Sequence, residues 1–336
     1  MHVWKGAGVM DALCDSFGRR IRYLRISVTD RCNLRCVYCL PASGVRWMPR
    51  DEVLRNDEIA AVVRTGLRLG ISHVRLTGGE PLVREGLLDL VRMLSGLSGL
   101  ADLALTTNGV LLADQAQALR AAGLTRINIS LDTLQPDRFR RITRFGEITD
   151  VRRGIMAALE AGLDPVKLNM VVVRGVNDDE IADLAALTQS LPVEVRFIEL
   201  MPIGDYFSRE KLVPAAEILS GVERLGMLSP VASGAGCGPA RTFRLPDARG
   251  KIGIISAVTQ AFCASCNRLR LTATGTLRPC LDDEQAVDLK PALRPVIDED
   301  GLAACIRTAV AAKPERHAMA EREVGSTRMC MAGVGG

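Results

Sequence analysis

The sequence predicts an α/β fold built from parallel strand–helix units, and three observations favour it. Strand-like runs rich in branched apolar residues alternate with helical segments through residues 23–200. Polar and glycine-rich motifs follow these runs, which is where parallel α/β folds place functional residues. A hydrophobic content of 48% over 336 residues suffices for one large core or two of ordinary size. A barrel and an open doubly wound sheet share this rhythm, so periodicity leaves both architectures open.

The alternation comprises six strand-like runs with helices between them. Asn56 and Asp57 are expected to cap the first helix, and Gly70 to end it. The expected strands are 23–28, 73–76, 103–105, 126–130, 166–173 and 193–200. The expected helices are 58–69, 85–94, 113–122, 151–161 and 179–187.

The pattern changes after residue 228. Residues 229–239 are rich in Gly, Ser and Pro, which is typical of a linker or loop. Short strand-like runs follow at 242–245, 252–255 and 269–272, and a helix is expected near 299–312. We therefore divide the chain into a barrel-type region, 1–228, and a C-terminal α+β region, 229–336.

Composition and charge exclude several classes of function. The net charge of +4 gives no indication of nucleic-acid binding. The first 22 residues lack a signal-peptide pattern, and no apolar run has the length of a membrane span. Ten cysteines in this context favour reduced thiols and metal binding. We expect a cytoplasmic protein that binds neither nucleic acid nor a membrane.

Three cysteines follow the first strand at the spacing Cys-x3-Cys-x2-Cys: Cys32, Cys36 and Cys39. Three thiolates in one tight loop can ligate three irons of a cubic cluster and leave the fourth iron open to a small molecule. A structural zinc site usually takes four ligands. A disulfide cluster fits poorly as well, because three is an odd number.

A second set of three cysteines lies in the C-terminal region: Cys263, Cys266 and Cys280. The same residues could form a zinc ribbon if another cysteine supplied a fourth ligand. The candidates for that ligand are Cys237, Cys305 and Cys330. Residue spacing alone leaves both interpretations open.

The first cysteine loop, with Tyr38 before its last cysteine, resembles the signature of the radical S-adenosylmethionine (SAM) enzymes. The chain also resembles one subfamily of these enzymes, the GTP 3',8-cyclases. The resemblance rests on residues 24–33, 74–81, 105–109, 127–132, 195–199, 262–271 and the ending 334–336. It implies a partial (β/α)6 TIM-type barrel with a C-terminal α+β extension that carries a second iron–sulfur cluster. The implied cofactors are two 4Fe-4S clusters and SAM.

The resemblance also implies which residues bind SAM: Tyr38, Gly79, Ser130 and Met201. Standing alone, residues 78–81 would be an ordinary turn after a strand, and Met201 would be a core residue. Glycine permits the close backbone approach that an amino-acid ligand requires.

Charged residues within strands usually lie on a solvated face, but inside a barrel they point to the centre and require a partner. A triphosphate would be such a partner. By resemblance the GTP-binding residues are Arg25, Arg75, Thr106, Lys167, Arg268, Leu269 and Arg270, and Arg196 is a further candidate. The second cluster would bind the guanine. The residues implied to act in catalysis are Arg25, Arg268, Arg270, Gly335 and Gly336.

The implied reaction begins with reductive cleavage of SAM. A hydrogen leaves the ribose 3' carbon of GTP, and that carbon bonds to C8 of guanine. This is the first step of molybdenum cofactor biosynthesis. The implied partners are GTP, a low-potential electron donor and, downstream, cyclic pyranopterin monophosphate synthase, and the protein would be a monomer or homodimer. The alternatives are another radical SAM enzyme, such as a peptide-modifying maturase, and a non-catalytic zinc or iron–sulfur protein.

Two features depart from the resemblance. His73 stands where these enzymes often carry Lys, so a neutral imidazole would weaken phosphate attraction there. Four cysteines match no ligand motif and are expected to be free thiols: Cys14, Cys237, Cys305 and Cys330.

Overall fold

The structure, a computed structural model, describes residues 12–41, 44–232, 238–283 and 285–325. Strands and helices alternate from residue 23 onward. The first six strands are β1 (Tyr23–Ser27), β2 (His73–Thr77), β3 (Asp102–Thr107), β4 (Arg126–Ser130), β5 (Val166–Val172) and β6 (Val193–Glu199). The helices among and after them are α1 (Asn56–Arg68), α2 (Leu87–Ser95), α3 (Ala116–Ala121), α4 (Pro136–Thr143), α5 (Ile148–Glu160), α6 (Ile181–Ser190) and α7 (Ala215–Glu223).

The remaining elements are shorter strands and two helices. The strands are β7 (Ser229–Val231), β8 (Arg241–Arg244), β9 (Lys251–Ile255), β10 (Arg268–Leu271), β11 (Thr276–Arg278) and β12 (Val287–Asp288). The helices are α8 (Lys290–Leu293) and α9 (Glu299–Ala311).

All these strands belong to one sheet, in the order β12-β11-β10-β1-β2-β3-β4-β5-β6-β9-β8-β7. Neighbours from β10 through β9 pair in parallel, and the strands beyond them pair antiparallel. The order does not return on itself, so the sheet is a partial barrel that does not close. The prediction of a partial barrel of six parallel units is confirmed.

Strands on both sides of residue 228 share this sheet. β10 pairs with β1 at one side of the six units, and β9 pairs with β6 at the other. The C-terminal residues thus widen the barrel wall from both sides. The division of the chain at residue 228 stays a prediction.

Most predicted elements are present at nearly the predicted positions, but α4 and α7 were not predicted. The expected loop at 229–239 begins instead with strand β7. In α4 half of the eight residues are charged, and its buried apolar side chains are Phe139 and Ile142, so the periodic signal is weak. The predicted cap of α1 was wrong: Arg55 is the N-cap, and its backbone N–H donates to the Glu58 carboxylate at 2.7 Å. Gly70, with φ of +97°, ends that helix as predicted.

Successive strand residues point to opposite faces of the sheet. One face is apolar and packs against the helices; Leu24, Ile26, Val74 and Leu76 are among its fully buried members. The other face carries Tyr23, Arg25, Arg75 and their neighbours and lines the barrel interior. In the described part of the chain, every helix is too short or too polar to cross a bilayer.

Candidate active site

The barrel interior is one open cavity whose wall includes both cysteine sets. Cys32, Cys36 and Cys39 line it from the loop after β1, and Cys263, Cys266 and Cys280 line it from around β10. Between them lie residues from the inward strand faces and the loops: Arg25, Arg75, Gly79, Thr106, Asn128, Ser130, Asn169, Arg196, Met201, Arg268 and Arg270. The fold therefore gathers on one surface most of the residues that the sequence assigned to SAM, GTP and metal.

The loop after β2 supports the first cysteine loop through backbone pairing. The Gly79 N–H donates to the Thr29 carbonyl at 2.7 Å, and the Glu80 N–H donates to the Arg31 carbonyl at 2.8 Å. A Cβ atom on Gly79 would lie 2.2 Å from the Arg31 oxygen. Gly78, with φ of +151°, would place its Cβ 2.4 Å from the Thr29 oxygen. Both positions therefore require glycine.

Glu80 connects this loop to the loop after β3. Its buried carboxylate accepts from the Leu82 N–H at 3.0 Å, the Thr107 hydroxyl at 2.7 Å and the Asn108 N–H at 2.6 Å. Burial raises the pKa of Glu80 to about 7, although these hydrogen bonds oppose the shift. Asn108 in turn donates its amide to the Asn33 side chain at 2.7 Å. The sequence reasoning missed both residues, although each lies in a motif that it used.

The carboxylate of Asp132, in the loop that follows β4, holds the Tyr38 side chain in place. Its hydroxyl donates to Asp132, which also accepts from the Val171 N–H at 2.8 Å. Burial raises the pKa of Asp132 to about 6, and burial together with Asp132 raises the pKa of Tyr38. Met201 lines the cavity and packs with Tyr38 against the same small apolar cluster. Two predicted SAM residues are thus brought together.

A second network lies deeper in the barrel, around the Tyr23 hydroxyl. Arg75 donates its Nε–H to this oxygen at 2.7 Å and an Nη1–H to the Thr106 hydroxyl at 3.3 Å. Arg126 donates to the same Tyr23 oxygen at 3.3 Å and is ion-paired with Asp102. Burial would raise the pKa of Tyr23, but the charges of Arg75 and Arg126 outweigh it and lower the value to about 8. Tyr23 and Arg126 were not predicted as site residues.

Lys167 and Arg196 meet at one carboxylate, Glu194. The Lys167 Nζ lies 2.8 Å from one Glu194 oxygen, and the Arg196 Nε lies 2.5 Å from the other. Burial, and then the charge of Arg196, lower the pKa of Lys167 to about 8. All three side chains are buried. The predicted cations are therefore neighbours, and Glu194 is the partner that the sequence did not reveal.

Arg25 and Arg270 face each other in the β1–β10 register. Burial, and then the charge of Arg268, lower the pKa of Arg270 to about 10. Leu269, between the two β10 arginines, points to the opposite face and is buried in the apolar core. A contact from Leu269 to a cavity ligand would therefore come from its backbone.

Two basic side chains that the sequence did not single out hold the second cysteine set. Arg19 donates to the carbonyls of Cys263 and Pro314 at 2.9 and 2.6 Å, and its Nε lies 2.5 Å from the buried Asp15 carboxylate. Lys313 donates from Nζ to the carbonyls of Arg268 and Pro279, at 2.9 and 2.6 Å. These bonds fix the chain on either side of the cysteines.

Several predicted residues lie elsewhere or outside the described part of the chain. Gly335, Gly336, Cys237 and Cys330 are outside the described residues. The His73 ring stacks on Tyr23, with centroids 5.9 Å apart, and burial lowers its pKa. Cys14 is exposed and Cys305 packs against the core; both are free thiols.

Among the described residues, no cysteine of either set is part of a disulfide. Within the described ranges, no three His, Cys, Asp or Glu side chains converge on the position of a single metal ion. The Cys32 sulfur receives N–H donors from Leu34 at 3.4 Å and Asn108 at 3.9 Å, as iron–sulfur ligands commonly do. Three sulfur donors on one wall of a cavity fit a cluster with one iron left open.

Comparisons with known families agree with this geometry. The model of the Radical SAM superfamily matches residues 26–188, and the model of Molybdenum Cofactor Synthesis C matches residues 193–319. The crystal structure of Streptococcus suis SuiB bound to S-adenosylmethionine has a TM-score of 0.58 at 14% identity, covering 80% of this chain and 63% of SuiB. SuiB bound to its precursor peptide SuiA also has a TM-score of 0.58 at 14% identity, covering 98% and 84%. At this identity the likeness shows the fold alone. Fold and site define the class as that of radical SAM proteins.

Curated relatives identify the family of this chain within the radical SAM proteins. GTP 3',8-cyclase of Pelotomaculum thermopropionicum is 54% identical over 310 residues, 91% of this chain and 95% of the relative. GTP 3',8-cyclase of Desulforamulus reducens is 49% identical over 327 residues, 96% and 100% of the two chains. The chain belongs to the GTP 3',8-cyclase family.

Proposed function

We propose that this protein converts GTP to (8S)-3',8-cyclo-7,8-dihydroguanosine 5'-triphosphate, the first step of molybdenum cofactor biosynthesis. The names of the curated relatives support the reaction, and the Molybdenum Cofactor Synthesis C match supports the pathway. The enzyme is a radical SAM lyase. Its cofactors are SAM and iron–sulfur clusters.

The observation that carries this proposal is the charge of the cavity between the two cysteine sets. Arg75, Arg196 and Arg270 are buried cations that line this cavity, and Lys167 is a buried cation on the same strand face that is not among the lining residues. One buried carboxylate, Glu194, lies among them. Burying charge without compensation is unfavourable, so this interior favours a polyanionic ligand. A nucleoside triphosphate has the required charge.

At the first cysteine loop, this chain's residues bind and orient SAM. Cys32, Cys36 and Cys39 would hold a cluster that, together with bound SAM, supplies the one-electron chemistry of the reaction. Gly79 presents backbone to the methionine end of SAM. Tyr38, Ser130 and Met201 line the remainder of this subsite, and Asp132 fixes the Tyr38 ring.

At the deeper end, the chain binds GTP. Arg75, Thr106 and Lys167 would neutralise the triphosphate, with Arg25, Arg268, Arg270 and the backbone of Leu269 nearby. Cys263, Cys266 and Cys280 would hold a second 4Fe-4S cluster against the guanine. Arg25, Arg268 and Arg270 are proposed to act during ring closure by stabilising charge on the substrate. The terminal Gly335 and Gly336 are proposed to act near these arginines.

The wider setting of the enzyme is also part of the proposal. The reaction requires a low-potential electron donor, and its product is a substrate for cyclic pyranopterin monophosphate synthase. We place the protein in the cytoplasm, as a monomer or homodimer.

Cysteine variants test the two assignments separately. The protein would be reconstituted anaerobically with iron and sulfide, then incubated with dithionite, SAM and GTP. C36A should abolish 5'-deoxyadenosine, because the first cluster would be lost. C266A should still cleave SAM and yield no cyclised nucleotide, and C305A, which removes a thiol remote from the cavity, should behave as wild type. If C266A formed product at the wild-type rate, the second set would have no part in the reaction.

A peptide-modifying enzyme is the alternative that this experiment also addresses. The SuiB likeness shows the fold alone, and a peptide would compensate the buried cations only if it were acidic. SAM cleavage at the same rate with and without GTP would favour a peptide-modifying enzyme instead.

A further inference from the structure

The first cysteine loop has an outer side that does not face the cavity. The Arg35 N–H donates to the Thr143 carbonyl at 2.9 Å. The Val37 N–H donates to the Ile142 carbonyl, also at 2.9 Å, so the end of α4 packs against this loop. The residues around this contact form what we call the cysteine-loop patch: Arg31, Arg35, Arg46, Trp47, Met48, Arg141, Arg144 and Phe145. None of these eight described residues lines the cavity.

Two arginines of the patch hold the cysteine loop from its outer side. Arg35 donates to the Cys32 carbonyl at 2.8 Å, and its guanidinium lies over the Trp47 ring, 4.8 Å from the centroid. Arg144 donates to the carbonyls of Arg35 and Leu40, at 2.8 and 3.0 Å. Positive charge therefore lies directly outside the first cysteine set.

The two chain segments that form the patch are cationic. Residues 31–48 and 140–146 contain six arginines and no Asp or Glu. The two acids that directly border these segments, Asp30 and Glu147, each accept a hydrogen bond from a donor within them, at 2.6 and 2.8 Å. Positive charge thus exceeds negative charge on this surface.

Exposed apolar side chains lie among these cations. Phe145 is 57% exposed and Met48 is 40% exposed. Arg46 and Arg141 are exposed as well, and within the described ranges neither forms an ion pair with a carboxylate. Arginine, methionine and aromatic residues are the types enriched at protein–protein interfaces, where lysine and acidic residues are depleted. The composition of the patch therefore favours a protein partner of complementary negative charge.

The position of the patch identifies what such a partner would do. Reductive cleavage of SAM requires one electron at the first cysteine set. The inner side of that loop faces the cavity that SAM and GTP would fill, so a protein cannot approach from there. An electron carried by a protein must therefore arrive from the outer side of the loop, where the patch lies.

We propose that the cysteine-loop patch is the docking surface for an acidic electron-donor protein that carries a low-potential one-electron group. One electron leaves the reduced donor and enters the cluster held by Cys32, Cys36 and Cys39. The donor is thereby oxidised by one electron and the cluster is reduced by one, and no bond forms or breaks in this step. The inference rests on the proposed function, because it takes this cluster as the one that cleaves SAM.

The test uses plant-type ferredoxin, an acidic 2Fe-2S protein of low potential, with the reconstituted holoenzyme and SAM. Rapid-freeze electron paramagnetic resonance would follow oxidation of reduced ferredoxin, and titration would give the dissociation constant of oxidised ferredoxin. At low ionic strength R46E/R141E should slow ferredoxin oxidation and weaken binding, each about tenfold, because the complementary charge is reversed. The difference should shrink with added salt, which screens exposed charges.

R224E/R307E is the matched control, because it makes the same change in net charge at two exposed arginines, beside α7 and on α9. It should react with ferredoxin as wild type does. R46K/R141K retains the charges of the patch and should also resemble wild type. Dithionite is small and needs no docking surface, so its rate of reduction should differ by less than about twofold among the four proteins.

Three results would overturn the inference. They are ferredoxin that does not bind wild type, a wild-type ferredoxin rate in R46E/R141E, and an equal loss of rate in R224E/R307E. Equal slowing of R46E/R141E with dithionite would also overturn it, because the defect would then lie in the cluster itself. Absence of cyclised nucleotide from dithionite-reduced wild type would instead reject the proposed function.

Discussion

The Tyr23 phenol lies where two guanidinium groups converge. Arg75 and Arg126 both donate to its oxygen, and their charges hold its pKa at about 8. Arg75 is one of the residues proposed to neutralise the triphosphate. The protonation state of Tyr23 therefore controls how much positive charge this part of the cavity offers to GTP.

This arrangement predicts a pH dependence of GTP binding. Above pH about 8 the phenolate adds a negative charge beside Arg75, so affinity should fall as pH rises through that value. Between about pH 7 and pH 9 the dissociation constant should rise about tenfold because of Tyr23. It should rise further because Lys167, whose pKa is lowered to about 8, loses its charge in the same range. Y23F should remove the Tyr23 part of the profile, as measured by equilibrium binding.

Y206F is the matched control, because Tyr206 contacts Lys211 outside the cavity wall and should leave the profile unchanged. An alkaline decline that persisted undiminished in Y23F would show that another group titrates.

At the scale of single residues, the sequence identified the candidate metal-binding and substrate-binding residues better than the side chains that hold those residues in place. The cysteines and the strand arginines belong to motifs, so their types and spacing could be recognised. The partners that the sequence did not reveal include Glu194, Asp102 and Arg19. They contact residues that are distant in sequence, or they lie at positions that no motif marks. Their roles depend on which strands become neighbours, and local spacing does not carry that information.

At the scale of elements, the site depends on two loops that touch through backbone. The loop after β2 pairs with the cysteine loop, and the pairing is close enough that Gly78 and Gly79 admit no side chain. Glycine here serves contact between loops as well as access for SAM. The sequence predicted glycine for close approach, and the structure identifies the neighbouring chain segment.

G79A should therefore disrupt the first cysteine loop. The added Cβ would collide with the Arg31 carbonyl at 2.2 Å, which is backbone that cannot rotate away. We expect a loss of about 2 kcal/mol in the free energy of unfolding and loss of SAM binding. Denaturant unfolding and SAM titration would measure the two effects.

G96A is the control for this experiment. Gly96 has a φ of −77°, and a Cβ there would lie 3.6 Å from its nearest neighbour, so the variant should resemble wild type. If G79A bound SAM normally, the close pairing of the two loops would not be needed for the site.

At the scale of the whole molecule, one sheet joins the chain's early and late segments. β10 adds to β1 and β9 adds to β6, so both cysteine sets lie on one cavity. The sequence predicted the six central units because their order in the chain equals their order in the sheet. The pairing of β9 and β10 across long separations left no local pattern. The first family match ends at residue 188 and the second begins at residue 193, so the boundary between them falls within the part of the chain that forms the continuous sheet.

A prediction at this scale concerns Arg19, which links the segment before β1 to the second cysteine set. R19A would leave Asp15 buried without its cation and the Cys263 and Pro314 carbonyls without their donor. Removing one member of a buried pair costs about 3–5 kcal/mol. Iron should fall from about eight to about four per chain.

Iron analysis together with SAM binding would check this expectation, since the first cluster should survive. R50A, which breaks an exposed ion pair with Glu85, should change neither quantity. A full complement of iron in R19A would show that the second cysteine set holds its position without Arg19.

The central claim is that SAM and GTP meet in this cavity so that the ribose 3' carbon faces the SAM subsite. The most direct measurement uses GTP labelled with deuterium at the 3' position, incubated anaerobically with the reconstituted protein, SAM and dithionite. Mass spectrometry of the 5'-deoxyadenosine should show one deuterium, together with formation of the cyclised nucleotide. Unlabelled 5'-deoxyadenosine, formed equally with and without GTP, would contradict the account.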